Sequence, residues 1–149
     1  RAFTKNKFTK WHWTYKMTHT DTNAPILPDK SADCKTGHRC EKWAQMLLML
    51  KGYIPVARNY VTGNGTGAGE VDLIMRKGRL LVFIEVKKRA TFEKALHAIT
   101  IENQTRVIRA SAAFLKRNKA YADFSVRYDA VIFAPKRMPR HIKDAWRVL

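Results

Sequence analysis

Two short runs hold the residues whose types and spacing fit chemistry. Gly69-Glu70-Val71-Asp72-Leu73-Ile74-Met75 and Leu80-Leu81-Val82-Phe83-Ile84-Glu85-Val86-Lys87 place Glu70, Asp72, Glu85 and Lys87 inside segments otherwise built from Val, Ile, Leu, Phe and Met. Carboxylates gathered at close range repel one another unless a cation or a proton intervenes. A donor set made only of oxygen suits a hard divalent ion, Mg²⁺ or Mn²⁺, so Asp72, Glu85 and Glu70 are candidate metal ligands. Lys87 stands where an amine would orient an attacking water or stabilise charge developing on a phosphoryl group. The competing reading is a wetted sheet face. Ile74, Leu81 and Phe83 argue against it, because alternation puts them on the same face as the charges.

The elements that must position these groups follow from pattern. Lys77-Gly78 between the runs is a two-residue turn signal, so the runs read as a β-hairpin at the centre of a sheet. In that register Arg76 faces Arg79, Asp72 faces Phe83 and Glu70 faces Glu85. Asp72 and Glu85 are then diagonal neighbours, about 7–8 Å apart at the backbone. A turn one residue longer would send the acids to opposite faces. Upstream, Glu41, Ala44, Leu47 and Leu48 form an amphipathic pattern ended by Gly52, followed by a strand from Tyr53 to Val61. The glycine-rich segment 63–69 formally fits a dinucleotide fingerprint but leads into a strand, so the helix N-terminus that would hold a phosphate is missing and a loop is expected. Phe92–His97 and Ile101–Arg117 read as helices, the second with an inner stripe of Ile101, Val107, Ile108, Ala112 and Leu115 and an outer face of Arg106, Arg109, Lys116 and Arg117. Ser125–Ala134 reads as another strand, and Ile142, Ala145 and Trp146 as a short packing element.

Charge points to a partner. The 149-residue chain carries 29 Lys and Arg against 12 Asp and Glu, a net charge of +17, which favours a polyanion such as nucleic acid. No apolar run approaches the length of a membrane span, so no membrane partner is expected. Residues 1–36 lack sustained periodicity and read as an arm, with Arg1, Lys5, Lys7, Lys10 and Lys16 interleaved with Phe3, Phe8, Trp11, Trp13 and Tyr15. The arm fits a nucleic-acid contact, a plain extension, or residues upstream of a start at Met17. Residues 37–149 form one domain. Cys34, His38 and Cys40 lack an evident fourth zinc ligand, and the two cysteines are expected to be reduced thiols of a cytoplasmic protein.

Taken in order, Gly37-x-x-x-Glu41-x-x-Ala44, Leu50-Lys51-Gly52-Tyr53, Arg58-Asn59, Gly69-Glu70-Val71-Asp72-Leu73-Ile74, Val82-Phe83-Ile84-Glu85-Val86-Lys87-x-Arg89, Arg127-Tyr128-Asp129 and His141-Ile142-x-x-Ala145-Trp146 resemble the YraN family of bacterial endonuclease-like proteins. The resemblance covers about residues 37–147 and leaves the arm outside. It implies an α/β, restriction-endonuclease-like fold of the PD-(D/E)xK class, a mixed central β-sheet flanked by α-helices with the carboxylates at one edge. It also implies a catalytic set of Glu41, Asp72, Glu85 and Lys87 assisted by Gln104, with Glu41 as an outer or second-metal ligand. The family commonly has a lysine where this chain has Asn103. The expected activity is Mg²⁺- or Mn²⁺-dependent hydrolysis of DNA, structure-specific toward branched or junction forms, in the bacterial cytoplasm. Arg76, Lys77, Lys88, Arg89, Arg106 and Arg109 are the expected backbone contacts. A non-catalytic DNA-, RNA- or ribosome-binding protein of the same fold is the alternative. Oligomeric state is left open, a homodimer included.

Overall fold

A computed structural model describes residues 37–63 and 65–148, so the expectations for residues 1–36 lie outside the described residues. The chain runs α1 (Gly37–Leu50), β1 (Ile54–Thr62), β2 (Gly69–Lys77), β3 (Leu80–Lys88), α2 (Phe92–His97), α3 (Ile101–Arg117), β4 (Ser125–Phe133) and β5 (Arg140–Trp146). Five strands pair in the order β1-β2-β3-β4-β5. β3 and β4 are parallel and every other pair is antiparallel. That mixture follows from the connections: short turns allow antiparallel neighbours, whereas the return from β3 to β4 travels through α2 and α3.

Each face of the sheet is covered by a helix. On one side Cys40, Ala44 and Leu48 of α1 pack on Leu73, Met75, Val82, Ile84, Val131 and Phe133. On the other, Val107, Ala110 and Phe114 of α3 pack on Val71, Ile74, Leu81, Phe83, Tyr128 and Ala130. The result is a restriction-endonuclease-like α/β architecture with the two central strands buried on both faces. In α3 the buried stripe is Val107, Ala110, Ser111 and Phe114, while Ile101 is 79% exposed at the first turn. Of the expected stripe, Val107 is buried and Ile108 and Leu115 pack partly buried against the core, whereas Ile101 and Ala112 are exposed.

Two further differences from expectation concern ends. The segment around Ile142 and Trp146 is a full sheet strand, fixed to β4 by a buried polar cluster. There Asp129, completely buried, accepts from Arg127 Nε and Nη2 (both 2.7 Å) and from the Asp144 N–H (2.9 Å), and pairs with His141 Nε2 (2.7 Å). Arg127 Nη2 also donates to the Tyr53 hydroxyl (2.9 Å), joining the link between α1 and β1 to the same cluster. Burial alone would push the Asp129 carboxyl up, yet the bonds from His141, Arg127 and Asp144 outweigh it and hold it below the usual carboxylate range. Cys40 takes part in a disulfide, so the expectation of two reduced thiols does not hold for it, and its sulfur no longer offers a zinc ligand. Among the described residues no helix is long and apolar enough to cross a membrane.

Candidate active site

The hairpin turns one residue later than Lys77-Gly78 placed it, which slips the register by two. Lys77 pairs with Leu80, which makes Gly78-Arg79 the loop, and Gly78 at φ +58° takes the first central position. Glycine there matches a type II′ hairpin, whose first central residue needs positive φ. Ile74 therefore faces Phe83, and the same register carried onward sets Asp72 opposite Glu85, not opposite Phe83. The slip is even, so the paired residues 73–77 and 80–84 keep their faces. Its consequence is a closer acid pair.

Regular pairing of β2 with β3 stops at Leu73 and Ile84. Beyond it the Val86 N–H donates to Asp72 Oδ2 (2.7 Å), so the aspartate side chain replaces a backbone acceptor. At this point β2 also breaks alternation: Val71 packs on the α3 side and Leu73 on the α1 side. Across the ladder in β1, Asn59 has φ +47°, a left-handed conformation that asparagine tolerates and that sharpens the local twist. Gly69 completes the arrangement. A Cβ there would stand 2.5 Å from the Ala110 nitrogen and 3.0 Å from the Arg106 oxygen, so only glycine lets β2 start against the backbone of α3.

These devices bring Glu70, Asp72, Glu85, Lys87, Asn103 and Arg106 around one cavity of about 110 Å³. The acids lie at the ends of the interior strands β2 and β3, not on an edge strand. Lys87 pairs with Glu85, and Arg106 with Glu70. Among the described residues Asp72 has no such ion pair. Desolvation first, then Glu85 and more weakly Glu41, push its carboxyl up to about 7 against the pull of the Val86 N–H and Lys87. Glu85 is also raised, by burial and by Glu70, although its bond with Lys87 opposes the shift. Glu41 acts on Asp72 from α1, and its buried Oε2 makes no hydrogen bond, with His38 Nδ1 3.5 Å away.

Other expected residues fall elsewhere. Gln104 donates Nε2 to the Ile99 carbonyl (3.3 Å) and does not line the cavity, whereas its neighbour Asn103 does, anchored by Nδ2 on the Ala98 carbonyl (2.7 Å). Thr100 caps α3 by accepting from the Asn103 N–H (3.3 Å), which sets that first turn against the site. Of the basic residues, Lys88 ends β3 and Arg89 follows it, next along the chain from Lys87 of the cavity, and Arg106 and Arg109 lie on the exposed side of α3. Arg76 and Lys77 sit at the hairpin turn, about 13–17 Å along β2 from Asp72. Lys77 Nζ is engaged there, donating to the Lys51 carbonyl (2.7 Å) and standing 5.3 Å over the Tyr53 ring. The part played by Asn103 and Arg106 at the cavity was not visible in sequence, because it depends on where the α3 cap meets the start of β2.

The donors fit a hard divalent ion in kind: they are carboxylates, and one oxygen, Glu41 Oε2, is buried without a hydrogen bond. They are not assembled into a cage. Among the described residues no three Asp, Glu, His or Cys side chains converge as a ready-made cation site. The reason is that Glu85 and Glu70 are turned onto Lys87 and Arg106.

Fold and acidic cavity together place the chain among restriction-endonuclease-like α/β proteins. Within that class it belongs to the uncharacterised protein family UPF0102, the YraN family of the resemblance above, whose family model matches residues 40–133. It is 45% identical over 126 residues to a UPF0102 protein of Paramagnetospirillum magneticum, covering 85% of this chain and 98% of that one. Similar relatives include UPF0102 proteins of Rhodopseudomonas palustris strain HaA2 (40% identity, covering 84% and 94%) and of a Bradyrhizobium species (38% identity, covering 88% and 96%).

Proposed function

We propose that the protein hydrolyses DNA phosphodiesters with the help of Mg²⁺ or Mn²⁺. One observation carries the reading: Asp72 and Glu85 share a small cavity with Lys87, and among the described residues no ion pair holds Asp72, whose carboxyl burial and Glu85 push up. Carboxylates forced together in a buried place cost stability, and such sites are retained where their charge is used. Asp72 and Glu85 would hold the ion, with Glu41 and Glu70 as outer oxygens. When bound, the ion supplies Lewis acidity toward a phosphoryl oxygen and neutralises developing negative charge. Lys87 is held by the Glu85 carboxylate and would offer a positive point charge where a pentacovalent phosphorus develops excess charge. Because β3 lies between β2 and β4, both Glu85 and Lys87 sit on a strand fixed on both sides. Lys88, Arg89 and Arg109 would track the nucleic-acid backbone, giving affinity without sequence choice. The cytoplasm is the compartment this reading implies.

The test is incubation with linear, single-stranded, flapped and four-way DNA in Mg²⁺, Mn²⁺ or chelator. Cleavage should require the ion and fall by about 10²-fold or more in Lys87→Ala, while DNA affinity changes little, one contact among many being lost. Ion-independent cleavage, or equal loss of cleavage and binding, would sink the assignment.

A second reading has its own support. Since Glu85 and Glu70 already hold cations, a protein that binds DNA or RNA without cutting it also fits the cavity. It predicts binding to the same substrates with no product in any metal.

A further inference from the structure

Arg106 stands at the meeting point of two ligands that the cavity would take. Its guanidinium pairs with Glu70, and the pair is open to water, the side chains being 48% and 43% exposed. It also lies within electrostatic reach of Glu85, where it opposes the push of Glu70. The backbone beneath it is fixed, because Gly69 packs on the Arg106 oxygen and the Ala110 nitrogen. Only the side chain is free to choose a partner.

We infer that Arg106 exchanges Glu70 for a nucleic-acid phosphate, and that this exchange makes polyanion and divalent cation bind cooperatively. The inference rests on the metal-site reading above and assigns its regulation. A guanidinium presents paired donors that suit phosphate at least as well as carboxylate, and an exposed ion pair contributes little to stability, so the exchange is inexpensive. Once Arg106 leaves, Glu70, Asp72 and Glu85 share one small cavity with Lys87 as the remaining cation among its lining residues. That excess of carboxylate favours a divalent ion. By linkage the ion, on drawing Glu70 toward itself, frees Arg106 for phosphate by the same factor. A substrate would thus assemble the cation site that it needs, and free metal alone would meet carboxylates already engaged.

Two measurements on the full chain test this. In calorimetric titration of Mn²⁺ without nucleic acid, Arg106→Gln should bind the ion about fivefold or more tightly than wild type. Lys116→Gln, which removes the same charge from the far end of α3, should match wild type. In anisotropy with a labelled short DNA duplex in chelator, Glu70→Gln should tighten binding when Arg106 is present and fail to do so in the Arg106→Gln background. Equal Mn²⁺ affinity in wild type and Arg106→Gln, or the same gain from Glu70→Gln in both backgrounds, would overturn the exchange while leaving the metal site standing. Absence of Mn²⁺ binding in wild type and variant alike would overturn the metal-site reading and the exchange with it.

Discussion

Asp72 is where charge and burial conflict most openly. Burial and the neighbouring Glu85 raise its carboxyl from 3.8 to about 7, so the folded chain holds this proton more firmly than the unfolded one. A raised value favours the folded state in acid, and the advantage is lost as pH rises from 3.8 through about 7. Asp72→Asn, which keeps the shape and removes the charge, should therefore stabilise the protein near pH 8 by on the order of 1–2 kcal/mol and change little near pH 4. Thermal unfolding at the two pH values measures both; destabilisation at pH 8 would mean that the bond to the Val86 N–H outweighs the penalty. These acids were legible in sequence because charges inside apolar strands are conspicuous. Which acid faces which was not, since that depends on which side of Gly78 the turn closes, and a two-residue slip leaves the apolar pattern unchanged.

The elements were legible to the extent that each declares a period. α1, the hairpin and β4 followed from theirs. α3 showed the 3.6 period, and Val107, Ile108 and Leu115 meet the core as expected, but the centre of its stripe lies on Ala110 and Phe114 beside Phe83 and Val71, which competing apolar residues such as Ile101 conceal. β5 was missed as a strand because Arg140, His141, Lys143 and Asp144 break its alternation, and its pairing rests on a buried cluster around Asp129 made with distant residues. The junction of β2 and α3 gives the prediction at this scale. Gly69→Ala would drive a methyl into the Ala110 nitrogen, a backbone atom that no rotamer change relieves, and should cost about 1–3 kcal/mol in denaturant unfolding. It should also loosen the pairing of Glu70 with Arg106. A neutral result would mean that α3 slides freely on the sheet.

For the molecule as a whole, net charge of +17 sets the expectation for polyanion binding before any site is considered. The basic residues of the hairpin lie at its two ends, so they are unequal. Arg89, exposed at the cavity end, should contribute one phosphate contact, and Arg89→Gln should flatten the log–log salt dependence of DNA binding by about 0.9. Lys77→Gln, at the far end and already engaged with Lys51 and Tyr53, should flatten it less. Equal effects would place the nucleic acid along the entire hairpin.

The single amide that Asp72 takes out of the β2–β3 ladder gives the site its own spectroscopic probe. The Val86 N–H is bonded to Asp72 Oδ2, so its proton chemical shift reads the charge and position of that carboxylate directly. Magnesium, being diamagnetic, should move the Val86 cross-peak ahead of amides elsewhere in β3, along a titration curve that gives the site's occupancy without any substrate. A cross-peak that stays still while the Glu70 or Glu41 amides shift would place the ion on the outer carboxylates, away from Asp72.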